Sequence, residues 1–216
     1  MHVVITGASR GIGAALAARY RDRGDRVTGT STAGDGANLL ALDVTQPDSI
    51  SAFAKAVDAP VDLLICNAGV YLDKGQRLDD GFDAATWADT MAVNVAGPFL
   101  TVQALLPQLR ASALAGKIAI LSSAMGSQSR APGGSYIYRA SKAAVANVGR
   151  NLAADLAGEG IAVGIYHPGW VQTDMGGAGA DIDTATSTAG LIRRFDALSL
   201  STTGCFEAWD GAPIPF

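Results

Sequence analysis

Short apolar runs alternate with longer amphipathic or alanine-rich segments along this chain. The apolar runs predict six strands, at residues 2–6, 26–30, 39–42, 61–66, 117–122 and 161–166. The segments between them predict helices over residues 14–23, 47–57, 86–110 and 136–156. Strands that alternate with helices are typical of βαβ units. The pattern therefore predicts an α/β fold, one domain over residues 1–216 built on a doubly wound parallel sheet flanked by helices.

Composition narrows the class of protein. Of the 216 residues, 49% are hydrophobic and 17% are charged, and the net charge is −4, so we expect a large core and no nucleic-acid partner. Two cysteines, Cys66 and Cys205, supply neither a disulfide framework nor metal-ligand spacing, and we expect no metal site. The N-terminus lacks the features of a signal peptide, and no apolar stretch approaches the roughly 20 residues of a membrane span. These features predict a cytoplasmic protein without a membrane partner.

A glycine-rich turn, TGASRGIG, follows the first predicted strand and opens the first predicted helix. Gly7 permits a tight turn, and Gly11 and Gly13 let the backbone approach a ligand closely. A helix N-terminus at this place offers unpaired N–H groups to a pyrophosphate. The spacing G-x-x-x-G-x-G differs from the general dinucleotide fingerprint G-x-G-x-x-G. On its own, the turn is also compatible with a plain connection between strand and helix.

The segment SYIYRASK contains two tyrosines and one lysine. Residues four apart on a helix share a face, with Cβ atoms roughly 5–6 Å apart, so Lys142 lies beside Tyr138. The residue four after Tyr136 is Ala140, which offers nothing to a phenol. An ammonium beside a phenol should lower its pKa from about 10, so Tyr138 is the candidate for chemistry. Tyr136 is expected to line the pocket or to pack as an aromatic residue.

Together these motifs resemble the short-chain dehydrogenase/reductase family. The glycine turn from Thr6, an N-A-G motif at residues 67–69, Ser123, and the Tyr138–Lys142 pair occur in the family's order, over residues 3 to about 173. The resemblance implies a Rossmann-type fold and an oxidoreductase that transfers hydride between a nicotinamide cofactor and a carbonyl or alcohol. The interval between Ser123 and Tyr138 is longer than is usual in the family. That feature and the closing CFEAWDGAPIPF resemble the branch of sniffer-type carbonyl reductases and C-factor signalling proteins.

The resemblance also implies catalytic roles. Tyr138 would be the general acid/base, and Lys142 would bond the nicotinamide ribose. Ser123 would donate to the substrate carbonyl oxygen, which leaves Ser122 in a structural role. Asn94 would hold a water of a proton relay through its backbone, or it would satisfy buried backbone groups as a structural asparagine.

The cofactor contacts implied by the resemblance extend around the sheet edge. Asp43 would bond the adenine, with capping of the next segment as the alternative. No acidic residue precedes Asp35 after the second strand, and Arg10 suits a 2′-phosphate, which favours NADP(H) over NAD(H). The expected cofactor-binding set is Thr6, Gly7, Ser9, Arg10, Gly11, Ile12, Gly13, Ser31, Asp43, Val44, Asn67, Ala68, Gly69, Tyr138, Lys142, Pro168, Gly169, Val171 and Thr173.

Residues 174–216 must supply a substrate lid, a last helix and a last strand. Small residues dominate the lid, which favours small apolar aldehydes, ketones or quinones as substrates. Trp170 and Met175 are candidates for the substrate wall, with core packing as the alternative, whereas Cys66 and His167 are expected to be structural. The pair Asp210-Gly211 predicts a hairpin turn.

Three points of function and assembly stay open at this stage. The family resemblance allows a homodimer or homotetramer through helices 89–109 and 138–156. A dinucleotide-binding regulatory or signalling protein with little turnover is the alternative to the enzyme. A hydrolase is disfavoured because no nucleophile–histidine pairing is apparent.

Overall fold

The computed structural model describes residues 1–36, 38–79 and 81–216. One sheet of parallel strands is arranged in the order β3-β2-β1-β4-β5-β6-β7. Each predicted strand lies within a residue or two of an observed one, and the predicted fold is confirmed. The strands are β1 (His2–Ile5), β2 (Arg26–Ser31), β3 (Leu39–Ala41), β4 (Leu63–Cys66), β5 (Lys117–Leu121), β6 (Ala162–His167) and β7 (Phe206–Ala208).

Helices connect the strands and cover both faces of the sheet. Two shorter segments accompany them, a π-helical turn at Ala92–Ala96 and a 3₁₀ turn at Ala124–Gly126. The π-helical turn interrupts a helix that the sequence predicts as regular. The helices are α1 (Gly11–Asp22), α2 (Pro47–Ala56), α3 (Ala84–Met91), α4 (Gly97–Arg110), α5 (Tyr136–Ala157) and α6 (Thr184–Ala197).

Two hydrophobic cores lie on opposite faces of the sheet. In β1, Val4 points into one core, whereas Val3 and Ile5 point into the other. The first core is completed by α2, α4 and α5, and the second by α1 and α6. Because both faces are covered, the central strand β4 is apolar and buried at every position, as expected for a buried parallel sheet.

The strand order reverses between β1 and β4, which are neighbours in the middle of the sheet although β2 and β3 follow β1 in sequence. In open α/β sheets, ligands bind outside the carboxyl ends of the strands at such a switch point. The glycine turn after β1 and the N-A-G motif after β4 both lie there.

The helical stretch Ala84–Arg110, 27 residues, is long and apolar enough to cross a membrane by length and composition. The expectation that no apolar stretch approaches this length is therefore wrong. In the fold, its second half packs Val102, Leu105 and Leu109 into the first core beneath the sheet. Such packing is that of a core helix, and one helix of this kind is weak evidence for a membrane span.

The C-terminal segment folds back on β7. Gly211 has φ = 93°, and the Ala208 N–H donates to the Ala212 carbonyl oxygen at 2.8 Å. Glu207 then pairs antiparallel with Pro213. The predicted turn at Asp210-Gly211 is confirmed.

Candidate active site

The glycine turn after β1 packs too tightly for side chains. Gly7 and Gly11 have φ values of +67° and +56°, in the left-handed region that favours glycine. A Cβ atom on Gly13 would lie 2.3 Å from the Gly7 carbonyl oxygen. No side chain caps the first turn of α1, so its backbone N–H groups can bind an anion.

Thr6 and Asn67 join the carboxyl ends of β1 and β4. The Thr6 hydroxyl oxygen accepts hydrogen bonds of 3.0 Å from the N–H groups of Asn67 and Ala68. The Asn67 amide donates to the carbonyl oxygens of Thr6 and Gly7, both at 2.9 Å. These bonds set the shape of the glycine turn.

A cleft of about 830 Å³ opens above this edge of the sheet. Its glycine-lined floor and free helix N-terminus fit a dinucleotide. Among the predicted site residues, Thr6, Asn94, Ser123, Gly169 and Val171 lie outside the described lining, and their contacts stay predictions. The cleft brings the other predicted residues together: Gly7, Ser9, Arg10, Gly11, Ile12, Gly13, Ser31, Asp43, Val44, Asn67, Ala68, Gly69, Tyr138, Lys142, Pro168 and Thr173.

Part of the cleft wall consists of residues that were not predicted from the sequence. Tyr71 and Leu72 line the cleft, although the segment 71–85 reads as a polar loop. Their position directly after the N-A-G motif and Val70 is the signal that could have identified them. Asp174, adjacent to the predicted Thr173, was also missed. The other lining residues outside the predicted site are Thr32, Leu42, Val70, Val93, Leu121, Ser122, Gln172 and Thr184.

The two tyrosines at the start of α5 face different surroundings. Tyr138 is buried, and the Lys142 Nζ atom lies 5.6 Å from the centroid of its ring. Tyr136 is 42% exposed and packs edge-on against Phe82, with ring centroids 5.2 Å apart. Of the two, only Tyr138 lines the cleft, and Tyr136 is a packing residue.

Burial dominates the electrostatics of this pair. It raises the pKa of Tyr138 to about 12, an effect partly offset by a hydrogen bond with the Ser123 side chain. It also lowers the pKa of Lys142 to about 8. In this structure the pKa of Tyr138 is raised, opposite to the lowering expected beside Lys142, because desolvation of the phenol is the largest influence on it. The Lys142 ammonium instead donates to the Leu121 carbonyl oxygen at 3.0 Å.

Two adjacent serines at the end of β5 make different contacts. The Ser122 hydroxyl donates to the Lys142 carbonyl oxygen at 2.8 Å, in line with its expected structural role. Ser123 lowers the pKa of Tyr138 as a hydrogen-bonding neighbour, and its hydroxyl oxygen accepts from the Met125 N–H at 3.1 Å. Ser123 is therefore next to the phenol, where the family resemblance expects the catalytic serine.

Asn94 lies in the π-helical turn and is buried. Its side-chain amide bonds the backbone of Val70 twice, at 2.8 and 2.9 Å, and donates to the Ser141 hydroxyl at 3.0 Å. The structural alternative for Asn94 is thus present, and the backbone-held water stays a prediction. A Cβ atom on Gly69 would lie 3.2 Å from Asn94 Oδ1 and 3.5 Å from Lys142 Nζ, so glycine lets these groups approach.

Charged residues at the adenine end of the cleft are engaged with the protein itself. Arg10 and Asp174, both exposed, form an ion pair of 2.7 Å. The Asp35 carboxylate accepts from the N–H groups of Asn38 and Leu39, both at 2.7 Å. Asp43 accepts from the N–H and hydroxyl of Thr45, so its capping alternative is present. Its adenine contact stays a prediction.

The lid residues are exposed rather than part of the core. Trp170 is 52% exposed and donates its indole N–H to the Gly176 carbonyl oxygen at 3.0 Å. Met175 is 40% exposed and lines the cleft, and Lys74 donates to its carbonyl oxygen at 2.8 Å. The core alternative is therefore wrong for both Trp170 and Met175.

Burial shifts the pKa of both remaining candidates, Cys66 and His167, whose structural roles stay predictions. Burial raises the pKa of the Cys66 thiol to about 12, so it stays protonated in the core. Burial also lowers the pKa of His167 to about 4. Over residues 1–36, 38–79 and 81–216, no group of three or more His, Cys, Asp or Glu side chains could hold a metal ion.

Comparisons with known proteins agree with this geometry. A family model described as short chain dehydrogenase matches residues 1–181. The protein C-signal of Myxococcus xanthus is 41% identical over 167 residues, which cover 76% of this chain and 99% of that protein.

Solved structures are also similar over the whole chain. The NADPH-bound carbonyl reductase from chicken fatty liver is 29% identical with a TM-score of 0.90, covering 100% of this chain and 98% of that one. The carbonyl reductase Sniffer of D. melanogaster is 27% identical with a TM-score of 0.91, and the match covers 100% of this chain and 99% of that one.

Proposed function

Because the chain belongs to the short-chain dehydrogenase/reductase family and is therefore an oxidoreductase, we propose that it is an NADP(H)-dependent carbonyl reductase. The observation that carries the proposal is the buried group of Ser123, Tyr138 and Lys142 at the edge of a dinucleotide-sized cleft. A protein that only bound a dinucleotide would not need a phenol, a hydroxyl and an ammonium gathered there.

Each side chain has a defined task in this proposal. The bound cofactor supplies the hydride. Ser123 donates a hydrogen bond to the carbonyl oxygen and stabilises the charge that develops on it. Tyr138 donates its proton to that oxygen, and Lys142 bonds the ribose hydroxyls and favours the phenolate that remains. Since burial keeps Tyr138 protonated at neutral pH, the free protein holds the acid that reduction requires.

The preference for NADP(H) is supported by the end of β2. Ser31 and Thr32 line the cleft there, and no acidic side chain of the described lining follows β2 directly. The Asp35 carboxylate accepts bonds from its own loop instead. Arg10 is the cation available for a 2′-phosphate, and the similar carbonyl reductase from chicken fatty liver binds NADPH. NAD(H) is the alternative cofactor.

Small apolar carbonyl compounds are the proposed substrates. Tyr71, Leu72 and Met175 supply an apolar wall beside Tyr138. The lid over residues 174–183 is rich in small residues, which suits aldehydes, ketones or quinones. A cytoplasmic location and assembly into dimers or tetramers stay predictions.

Two tyrosine variants test the reaction. NADPH and NADH are titrated by fluorescence, and NADPH oxidation is followed with a panel of aldehydes, ketones and quinones. Tyr138→Phe should lower kcat by about a thousandfold while the Kd of NADPH changes less than about twofold. Tyr136→Phe, which alters a packing residue two positions away, should behave like wild type. Turnover retained in Tyr138→Phe would refute the assignment.

The alternative function is a dinucleotide-binding regulatory protein with little turnover. The similarity to C-signal of M. xanthus keeps this alternative open. NADPH binding without oxidation by any carbonyl of the panel would favour it, and the search for a partner protein would follow.

A further inference from the structure

The helix that carries Tyr138 and Lys142 has no local N-terminal cap. Ser135, the residue before α5, has φ = 49° and ψ = 41°, and its side chain makes no capping bond. The first N–H groups of a helix have no partner inside it, and a buried N–H without a partner is costly. The start of α5 therefore needs an acceptor from elsewhere in the chain.

Asp73 supplies that acceptor from the loop after β4. Its side chain is fully buried, and its Oδ2 atom accepts a 2.9 Å hydrogen bond from the Ile137 N–H. Its Oδ1 atom accepts a 3.2 Å bond from the N–H of Tyr138 itself. A carboxylate is stabilised at a helix N-terminus by the unpaired N–H groups and the helix dipole. The contact thus fixes the backbone at the position of the phenol.

Tyr71 holds the same residue through its ring. The rings of Tyr71 and Tyr138 are stacked, with centroids 4.2 Å apart and an interplanar angle of 22°. The Tyr71 hydroxyl forms a hydrogen bond with the Ser135 hydroxyl. The segment 71–73 therefore contacts the backbone and the ring of Tyr138, and also Ser135, the residue before α5.

We propose that Asp73 is a positioning residue for the reaction: through its bonds to the first turn of α5 it sets the place of the Tyr138 phenol. The inference rests on the proposed function, in which Tyr138 is the proton donor. Asp73 does not contact the reacting atoms, and it acts through the first turn of α5.

The charges around the phenol give this role a measurable consequence. Tyr138 faces Lys142 on its own helix, Ser123 at the end of β5, and Tyr71 and Asp73 on the loop after β4. Beside the dominant effect of burial, Ser123 lowers the pKa of Tyr138, and Tyr71 and then Asp73 raise it. A neutral residue at position 73 should therefore let the phenol lose its proton at lower pH.

Asp73→Asn tests the proposal, with Asp79→Asn as the control. Asp79 is an exposed carboxylate of the same loop. In Asp73→Asn we expect kcat to fall about tenfold, with the Kd of NADPH within about twofold of wild type. Asp79→Asn should leave both unchanged. An Asp73→Asn variant with wild-type kcat would overturn the proposal.

The titration of Tyr138 is measured separately from activity. Tyrosinate absorbance is recorded against pH, within the range where the circular dichroism of the folded chain persists, and the contribution of Tyr138 is isolated by subtracting the Tyr138→Phe curve. In Asp73→Asn, this contribution should begin at lower pH. An unchanged curve would overturn the expected influence of the Asp73 charge on the phenol. This titration needs no substrate, so it can be interpreted even if the wild-type protein reduces no carbonyl. Absence of turnover in wild type would refute only the proposed function.

A second variant covers the case in which Asp73→Asn does not fold. Asp73→Glu keeps the charge but displaces the carboxylate by one methylene group. We expect kcat to fall at least about threefold, with the Tyr138 titration close to that of wild type. Wild-type kcat in a folded Asp73→Glu protein would contradict a positioning role.

Discussion

The Ser122 hydroxyl donates a 2.8 Å hydrogen bond to the carbonyl oxygen of Lys142, although these residues lie on different elements of the fold. This bond connects the residue after β5 to the second turn of α5. The next residue, Ser123, acts on the Tyr138 side chain instead and lowers its pKa. Of these two adjacent serines, Ser122 thus supports the backbone of the site, whereas Ser123 is the neighbour of the proposed acid, Tyr138.

Alanine substitutions at the two serines should mainly affect different properties: kcat for Ser123 and the free energy of unfolding for Ser122. Ser123→Ala should lower kcat by about a hundredfold, because the hydrogen bond to the developing oxyanion is lost. Ser122→Ala should lower the free energy of unfolding by about 1–2 kcal/mol, because the buried carbonyl oxygen of Lys142 loses a donor. Steady-state kinetics and urea unfolding of both variants measure these effects.

Each serine variant is the control for the other. A large loss of kcat in Ser122→Ala, with Ser123→Ala close to wild type, would reverse the choice of catalytic serine. It would place the substrate oxygen on the other side of the β5 terminus.

The ion pair between Arg10 and Asp174 predicts a competition at the cofactor cleft. A 2′-phosphate that binds Arg10 must replace the Asp174 carboxylate, which is 2.7 Å away in this structure. Arg10→Ala should therefore weaken NADPH binding by about tenfold and leave NADH nearly unchanged. Asp174→Asn should strengthen NADPH binding by about two- to threefold, since exposed ion pairs are weak.

Fluorescence titrations of both cofactors against both variants measure this competition. Arg193→Ala, which removes an exposed arginine of α6, is the matched control. Equal loss of NADPH and NADH affinity in Arg10→Ala would contradict a role in 2′-phosphate recognition.

Local patterns allowed much of the fold to be predicted from the sequence. Strands such as β4 are apolar at every position because both faces of the sheet are covered. The Tyr138–Lys142 pair could also be predicted, since it depends only on helical periodicity. The π-helical turn that holds Asn94 could not, because the residues of Ala92–Ala96 fit a regular helix equally well.

Contacts between distant parts of the chain were beyond sequence analysis. Asp73 meets α5 across 64 residues, and Arg10 meets Asp174 across 164. No local pattern records such pairs. The raised pKa of Tyr138 could not be predicted for a related reason: proximity to Lys142 follows from spacing, but the desolvation that dominates this pKa depends on the complete fold.

The buried ammonium of Lys142 should make stability depend on pH. Burial lowers its pKa to about 8, from 10.5. Below pH 8 the group is charged in both states, and its burial destabilises the folded state in full. Between about pH 8 and 10.5 the unfolded chain holds the proton that the folded chain has released, so the contribution of Lys142 to stability rises with pH. A shift of this size corresponds to about 3 kcal/mol.

Urea unfolding of wild type and Lys142→Met at about pH 7 and pH 10 isolates this effect. From pH 7 to pH 10, the free energy of unfolding of wild type should rise by about 2–3 kcal/mol relative to that of Lys142→Met, because only wild type gains from deprotonation of Lys142. Lys55→Met, which removes an exposed ammonium, should show almost no such change. If the difference in unfolding free energy between wild type and Lys142→Met does not change with pH, Lys142 stays charged in the folded state. Its bond to the Leu121 carbonyl oxygen would then compensate for burial, and the site would hold a permanent cation beside Tyr138.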